Sequence, residues 1–280
     1  MSVDQHLKLE LQISSSQALV RRIDQRIDLV ERLLAEADMA QAMVIPTSFT
    51  NSIGIKMMWC PPGEFVMGSP ADETGRWEED GRENQIEARV KHGFWIACTP
   101  VTQEQWHAVK GSNPSFFKGS DQLPVECVSW EDAQEFCTKL NAIEPVRPGF
   151  SYRLPTEMQW EYACRAGTTG PYHGSRLDDV GWYKENSGGR THEVGLKQAN
   201  AWGLRDMHGN VSEWCADWHE EPHPNSTNFM KALKWSGYLL RGGSFISSAG
   251  SCRSAVRFWA RLHHGSQYDG FRVALVPLEQ

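Results

Sequence analysis

No stretch of about 18 consecutive apolar residues occurs in the chain, so a membrane-spanning helix is not expected. The 28 Lys and Arg are outnumbered by 35 Asp and Glu, giving a net charge of -7, and the cations form no run. Binding to nucleic-acid phosphates needs clustered cations, so a nucleic-acid partner is not expected. Met1 to Leu11 alternate polar and apolar residues and lack the apolar centre of a signal peptide, which makes cytoplasmic residence the expectation. The seven cysteines are odd in number, scattered, and contain no Cys-x-x-Cys pair, which agrees with a reducing compartment. Cys98, Cys127, Cys137, Cys164 and Cys215 sit among apolar residues and read as small buried thiols. No repeat of solenoid period is present.

What the chain does contain is globular in character. Of 280 residues, 40% are hydrophobic and 22% charged, unlike a disordered segment. Gly 24 and Pro 14 call for many turns, and Trp 12 calls for a core built on large aromatics. Ser14 to Ala40 reads as a helix that Ser14 to Ser16 can cap. Ile23, Ile27, Val30, Leu34 and Ala37 form a heptad-like seam there, with Arg22, Asp24, Arg26, Asp28, Glu31 and Arg32 around it. Two readings stay open: the helix pairs with a partner or a second copy, or it packs on its own domain. Pro46 to Asn51 reads as a linker. The chain thus divides into an N-terminal helical extension, 1–45, and a main domain, 46–280.

In the main domain short strand-like runs, such as Ile55 to Trp59, Phe65 to Met67 and Gly93 to Ala97, are broken by turn residues. A helix is expected over Val101 to Val109, with Thr102 and Gln105 as a capping box. A second is expected over Ser129 to Ile143, with Ala133, Phe136, Cys137 and Leu140 inward. A third starts at Thr156, boxed by Gln159, and carries Trp160, Tyr162 and Ala163. Glu161, Arg153, Arg241 and Arg272 are charges inside apolar phrases, which predicts buried ion pairs. Gly242 and Gly243 predict a close backbone approach or positive φ.

Several phrases are specific in their order and spacing: Pro62 to Ser69, Pro124 to Trp130, Arg153 to Ala163, Asn200 to Trp214, Arg241 to Phe245, and Gly270 to Val273. Over residues 53 to 278 the sequence resembles the formylglycine-generating, sulfatase-modifying-factor superfamily. That resemblance implies an α+β, loop-rich fold related to the C-type lectins, here with an N-terminal helix. It also implies a structural Ca²⁺ held by Asn210, the carbonyl of Val211 and Glu213, hard oxygen donors suited to that ion. The residues alone allow a plainer role, hydrogen bonding within the turn.

The resemblance breaks where the family's copper-dependent oxidase places two cysteines after Arg-Gly-Gly-Ser. Cys252 matches the second of them, and Ser247 stands at the first. A hydroxyl is a poor ligand for a soft monovalent ion, so no copper is expected and formylglycine generation should be absent or crippled. The branch that joins sulfur to histidine derivatives with iron needs an N-terminal histidine cluster, and the N-terminal part holds only His6. His219-Glu220-Glu221-Pro222-His223 spells a zinc-protease motif, but Pro222 disfavours the helix that motif requires.

A third branch, the variable proteins of diversity-generating retroelements, displays a hypervariable C-terminal surface on this fold. Cys252-Arg253-Ser254-Ala255 and Gly270-Phe271-Arg272 match its fixed frame. The residues between are chemically mixed and include Phe258, Trp259, Leu262, His263, His264 and Tyr268, many aromatics for a solvated loop. The expectation is a non-catalytic protein that binds a protein or other macromolecular ligand. Phe245, Ser247, Ser248, Phe258, Trp259, Leu262, His263 and Tyr268 would form the surface, with aromatic anchors supplying most of the energy. The alternative is a metal-dependent oxidase of the superfamily with an altered active site that uses Cys252.

Overall fold

The computed structural model describes residues 45–77, 82–144, 148–220 and 236–278, together with Ile23, Arg26, Ile27 and Val30. The chain divides into two compact units, Met1–Pro46 and Thr47–Gln280. Of the helix expected over Ser14 to Ala40, only those four residues are described. All four are helical and exposed; the remainder lies outside the described residues.

The second unit is built on a five-stranded sheet with the order β1-β2-β5-β13-β6. Its members are β1 (Ser48–Thr50), β2 (Lys56–Cys60), β5 (Phe94–Ala97), β6 (Phe150–Arg153) and β13 (Ala274–Pro277), every pairing antiparallel. Ser48 to Thr50 therefore corrects the linker reading. This run carries Phe49 and Thr50, residues that suit a pleated edge, and it pairs Phe49 with Met57. Between β2 and β5 in sequence, β3 (Gly63–Met67) and β4 (Ile86–Val90) pair antiparallel as a separate two-stranded sheet.

Three helices follow the expected capping chemistry. In α1 (Gln103–Lys110) the Thr102 hydroxyl accepts from Gln105 N at 3.2 Å, and Gln105 Oε1 accepts from Thr102 N at 3.0 Å. In α2 (Trp130–Ile143) Ser129 and Asp132 make the same exchange, and Ala133, Phe136, Cys137 and Leu140 are buried. In α3 (Glu157–Arg165) Thr156 and Gln159 do so again. Each box satisfies two of the backbone N–H groups a helix start leaves without partners. A short turn of helix, α4 (Leu177–Val180), leads into β7 (Gly181–Trp182), which pairs in parallel with β8 (His208–Gly209).

The second large sheet has the order β11-β10-β9-β12. It consists of β9 (Ser212–Glu220), β10 (Ser236–Arg241), β11 (Arg257–Ala260) and β12 (Asp269–Gly270). Trp95, Trp160 and Trp214 are completely buried between these layers. The indole N–H of Trp160 donates to Glu213 at 2.8 Å and that of Trp214 to the Val128 carbonyl at 3.0 Å. A buried tryptophan needs such a partner, so the aromatic-rich core comes with fixed polar contacts. Among the described residues no helix is long and apolar enough to cross a membrane.

Candidate functional site

The charges inside the apolar phrases are buried and paired. Arg272 donates from Nε and Nη2 to the two oxygens of Glu213, each at 2.6 Å, and to the carbonyls of Ala97, Cys98, Arg205 and Asp206. Arg241 meets Glu157 at 3.2 Å, contacts Glu161, and donates to the carbonyls of Ser254 and Ala255. Arg253 bridges Glu73 at 2.6 Å and Glu83 at 2.7 Å. Arg153 departs from the expectation: it is half-buried, and its Nη2 reaches the Ser151 hydroxyl at 3.5 Å. Three buried arginines therefore tie residues 241, 253 and 272 to the body, anchoring the stretch from 241 to 272 at its ends and at one point between. Guanidinium groups suit this task because five fixed donors can satisfy a carboxylate and several carbonyls together.

The same pairing bears on calcium. Both oxygens of Glu213 already face the Arg272 guanidinium, and one also accepts from Trp160. Asn210, at φ 63°, uses its side-chain oxygen to accept from His192 N and its amide to donate to His192 O, both at 3.0 Å. Val211 is fully buried beside them. A carboxylate neutralised by a cation has little charge left for another, so calcium does not fit Asn210, Val211 and Glu213 in this arrangement. Among the described residues no cluster of three or more His, Cys, Asp or Glu side chains is arranged to hold a metal ion.

Cys252 ends a short 3₁₀ turn, Ala249–Cys252, and packs in a small cluster with Leu177 and Val180, flanked by Tyr172 and Tyr183. It is fully buried, and the loss of solvent pushes its thiol up to about 12. A side chain placed on Gly243 would meet Cys252 Sγ at 2.9 Å and Ser247 Oγ at 3.2 Å, so the two groups flank one point of the backbone. The place where the family's dithiol would stand thus holds one protonated thiol and one hydroxyl. Ser247 Oγ is itself engaged, accepting from Ser244 N at 2.9 Å. A thiol so shielded is not a nucleophile. Under native conditions Cys252 should be alkylated more slowly than Cys98 and Cys127, whose thiols burial also raises but which stay partly open to solvent, as peptide mapping after a timed iodoacetamide pulse would show.

The expected surface residues are divided by the fold. Phe245 is a correction: it is 1% exposed, and its ring lies between Phe117 at 5.2 Å and Tyr268 at 5.5 Å. Phe258 and Trp259 do not lie in a loop but on β11, opposite Leu240 and Leu239 of β10, and strand alternation turns them to opposite core clusters. Ser247, Leu262 and Tyr268 are half-buried, whereas Ser248, Ile246, His263 and His264 are exposed. His263 Nδ1 contacts Glu131 across an open cleft of about 470 Å³, whose wall also carries Asp132 and Glu135.

Two exposed aromatic residues that neighbour this segment escaped the sequence reading. Trp77 is 40% exposed and meets Phe258 edge-on at 5.2 Å. Phe116 is 66% exposed and sits edge-on to Phe117, which rests on Phe245. The loop carrying it is fixed by a fully buried carboxylate: Glu126 accepts from Phe116 N at 3.0 Å and from Phe117 N at 2.8 Å. Gln103 Nε2 adds a bond to the Phe117 carbonyl at 2.9 Å. Two adjacent phenylalanines between Pro114 and Gly119 were the available signal.

Residues 44–276 match the family described as sulfatase-modifying factor enzyme 1-like domain. The chain belongs to that family. It is 34% identical over 206 residues to the chaperone protein LppX of Paenibacillus barcinonensis, a match covering 55% of the chain and 70% of that relative. It is 30% identical over 203 residues to the mouse formylglycine-generating enzyme, covering 65% of the chain but only 50% of the enzyme. Treponema denticola variable protein 1 has the same fold, with a TM-score of 0.71 and 28% identity, across 83% of the chain and all of that structure. Family membership, the α+β fold and the likeness to a variable protein all agree with the motifs read from the sequence.

In this family member His208 lies behind the Cys252 turn, fully buried, with Nδ1 2.8 Å from the Cys252 carbonyl. Its Nε2 accepts from His173 N, so the ring is neutral with the proton on Nδ1. Burial pushes it down from 6.5 to about 3. The unfolded chain regains the ordinary value. The stability carried by neutral His208 is therefore complete above pH 6.5 and is lost as the pH falls toward 3. Buried Asp206, raised to about 6 by desolvation, works the other way over the lower part of that window. The urea midpoint should fall on acidification just below pH 6.5, and His208→Asn should flatten that dependence.

Proposed function

We propose that the chain is a non-catalytic, cytoplasmic binding protein whose C-terminal segment and Phe116 loop together engage a protein partner. The observation that carries this reading is the sealed, protonated Cys252 facing Ser247 in place of a second thiol. A rigid face beside it supports the binding role. Phe116 and Ile246, 66% and 44% exposed, are apolar anchors on backbone that is already ordered, so little entropy remains to be lost on association. The acidic cleft of Glu131, Asp132 and Glu135 supplies charge for a basic group at the rim. The relative named a chaperone and the structural neighbour named a variable protein both fit a scaffold that presents a surface. If the surface diversifies, the changes would fall between Arg241–Ser244 and Gly270–Arg272, interleaved with the fixed residues Cys252–Ala255.

Two measurements test this. Oxygen uptake with a cysteine-containing peptide and added copper should stay at background, and turnover would overturn the non-catalytic reading. Phe116→Ser with Ile246→Ser should weaken capture of the partner from cell extract at least about tenfold, the size expected for loss of a central anchor. The melting temperature should hardly change, because both side chains are exposed in the free chain.

A further inference from the structure

We propose that two copies of this chain pair edge to edge through β4, joining their two-stranded sheets into one antiparallel sheet of four strands. A strand at a sheet edge presents backbone N–H and C=O groups that another strand can take up, and proteins usually block such edges. The β6 edge of the five-stranded sheet is blocked. There the Asn141 side chain of α2 stands in for a neighbouring strand: its Oδ1 accepts from Tyr152 N at 2.8 Å, and its Nδ2 donates to Tyr152 O at 2.7 Å. Among the described residues β4 pairs with β3 alone, which leaves its far edge without a strand. Ala88 and Val90 of β4 turn inward and are buried, whereas Glu87 and Arg89 are exposed and Ile86 is 57% exposed. An open groove of about 460 Å³ runs along the two strands, lined by Glu64, Phe65, Val66, Glu87, Ala88 and Arg89.

Charge selects both the occupant and the register. Residues opposite each other in an antiparallel pair lie on the same face of the sheet, so a twofold axis between two copies of β4 must pass through a residue. Three such registers are centred on the strand. An axis at Glu87 sets Glu87 against itself, and an axis at Arg89 sets Arg89 against itself; each puts like charges opposite, which destabilises. An axis at Ala88 sets Glu87 against Arg89 of the second copy, Arg89 against Glu87 of the second copy, and Ile86 against Val90 of the second copy. Within the chain Arg89 Nε lies 3.7 Å from Glu64 across the β3–β4 pair. In the assembly Arg89 would therefore stand between two carboxylates, and the exposed Ile86 would gain an apolar neighbour. The strand carries the complement to its own sequence, and this points to a second copy as the occupant. Five residues a side make a short contact, so the association is weak and depends on concentration. It does not rest on the binding function proposed above.

Sedimentation equilibrium of the full chain, from low micromolar to near-millimolar concentration, is the test. The mass should rise from 31.7 kDa toward twice that value. Glu87→Arg and Arg89→Glu should each weaken the dimer by about fivefold to thirtyfold, because each turns both intermolecular ion pairs into like-charge pairs. An equal mixture of the two variants should recover the wild-type affinity, because the reversed charges then face each other. Both side chains are exposed, so each variant should melt with the wild type, and a loss of association cannot then be assigned to unfolding. A wild-type chain that stays monomeric throughout overturns the proposal. So does association that neither reversal weakens, since the contact would then lie elsewhere. A mixture that associates no more tightly than the separate variants overturns the register centred on Ala88.

Discussion

Arg272→Met should destabilise the protein by about 3–5 kcal/mol, the cost of breaking a buried ion pair from one side. The arginine is fully buried, as is its partner Glu213. Removing the guanidinium leaves a carboxylate with only the Trp160 indole N–H of its former donors. It also strips a donor from the carbonyls of Ala97, Cys98, Arg205 and Asp206. The desolvation penalty of each group left behind outweighs what the pair contributed on balance. Urea unfolding should show the loss as a lower midpoint. Arg272→Met combined with Glu213→Gln should recover part of it, because the uncompensated charge is then gone. If the single and double variants are equally unstable, the cost lies in the carbonyls and not in the charge.

Gly209→Ala should cost more than about 4 kcal/mol, the range reserved for gross steric or burial defects. Gly209 sits at φ 83°, and a methyl group there would lie 1.9 Å from the Trp182 carbonyl oxygen. The methyl is fixed to the backbone of β8 and the oxygen belongs to that of β7, so neither can rotate away. Gly111 gives the comparison, since it has φ 70° but open space around it. Gly111→Ala should cost only the conformational penalty, about 1–2 kcal/mol. The difference between the two midpoints measures the clash free of the dihedral.

Local chemistry was legible in the sequence wherever a few neighbouring residues decide the outcome. Thr102 with Gln105 and Thr156 with Gln159 announce helix starts because each box is complete within four residues. Arg241 and Arg272 announced themselves as buried because a charge in an apolar phrase needs a partner, though their partners lie far along the chain. The surface was harder to read. Phe245 and Ile246 are neighbours of similar character, yet one is enclosed by Phe117 and Tyr268 and the other faces out. Phe258 and Trp259 become a strand only because β10 lies beside them, a non-local pairing. The prominence of Phe116 depends on Glu126, whose carboxylate turns inward to hold two amides instead of outward to water. The pairing of Glu213 was equally non-local: a carboxylate that suits a cation suits an arginine as well, and Arg272 lies 59 residues along the chain.

The order of strands in the five-stranded sheet has a consequence for how the molecule is made. β13 enters between β5 and β6, so an interior position of that sheet is filled by residues 274–277. A chain emerging from the ribosome carries β5 and β6 long before the strand that joins them exists. Until then both present open edges, and Trp95 lacks Leu275, its neighbour across the ladder. Closure must wait for the whole segment to be translated, and such long-range pairings are slow. Until residues 274–277 are available, both strand edges stay open to pairing with another chain, so aggregation competes most strongly with folding before that last insertion.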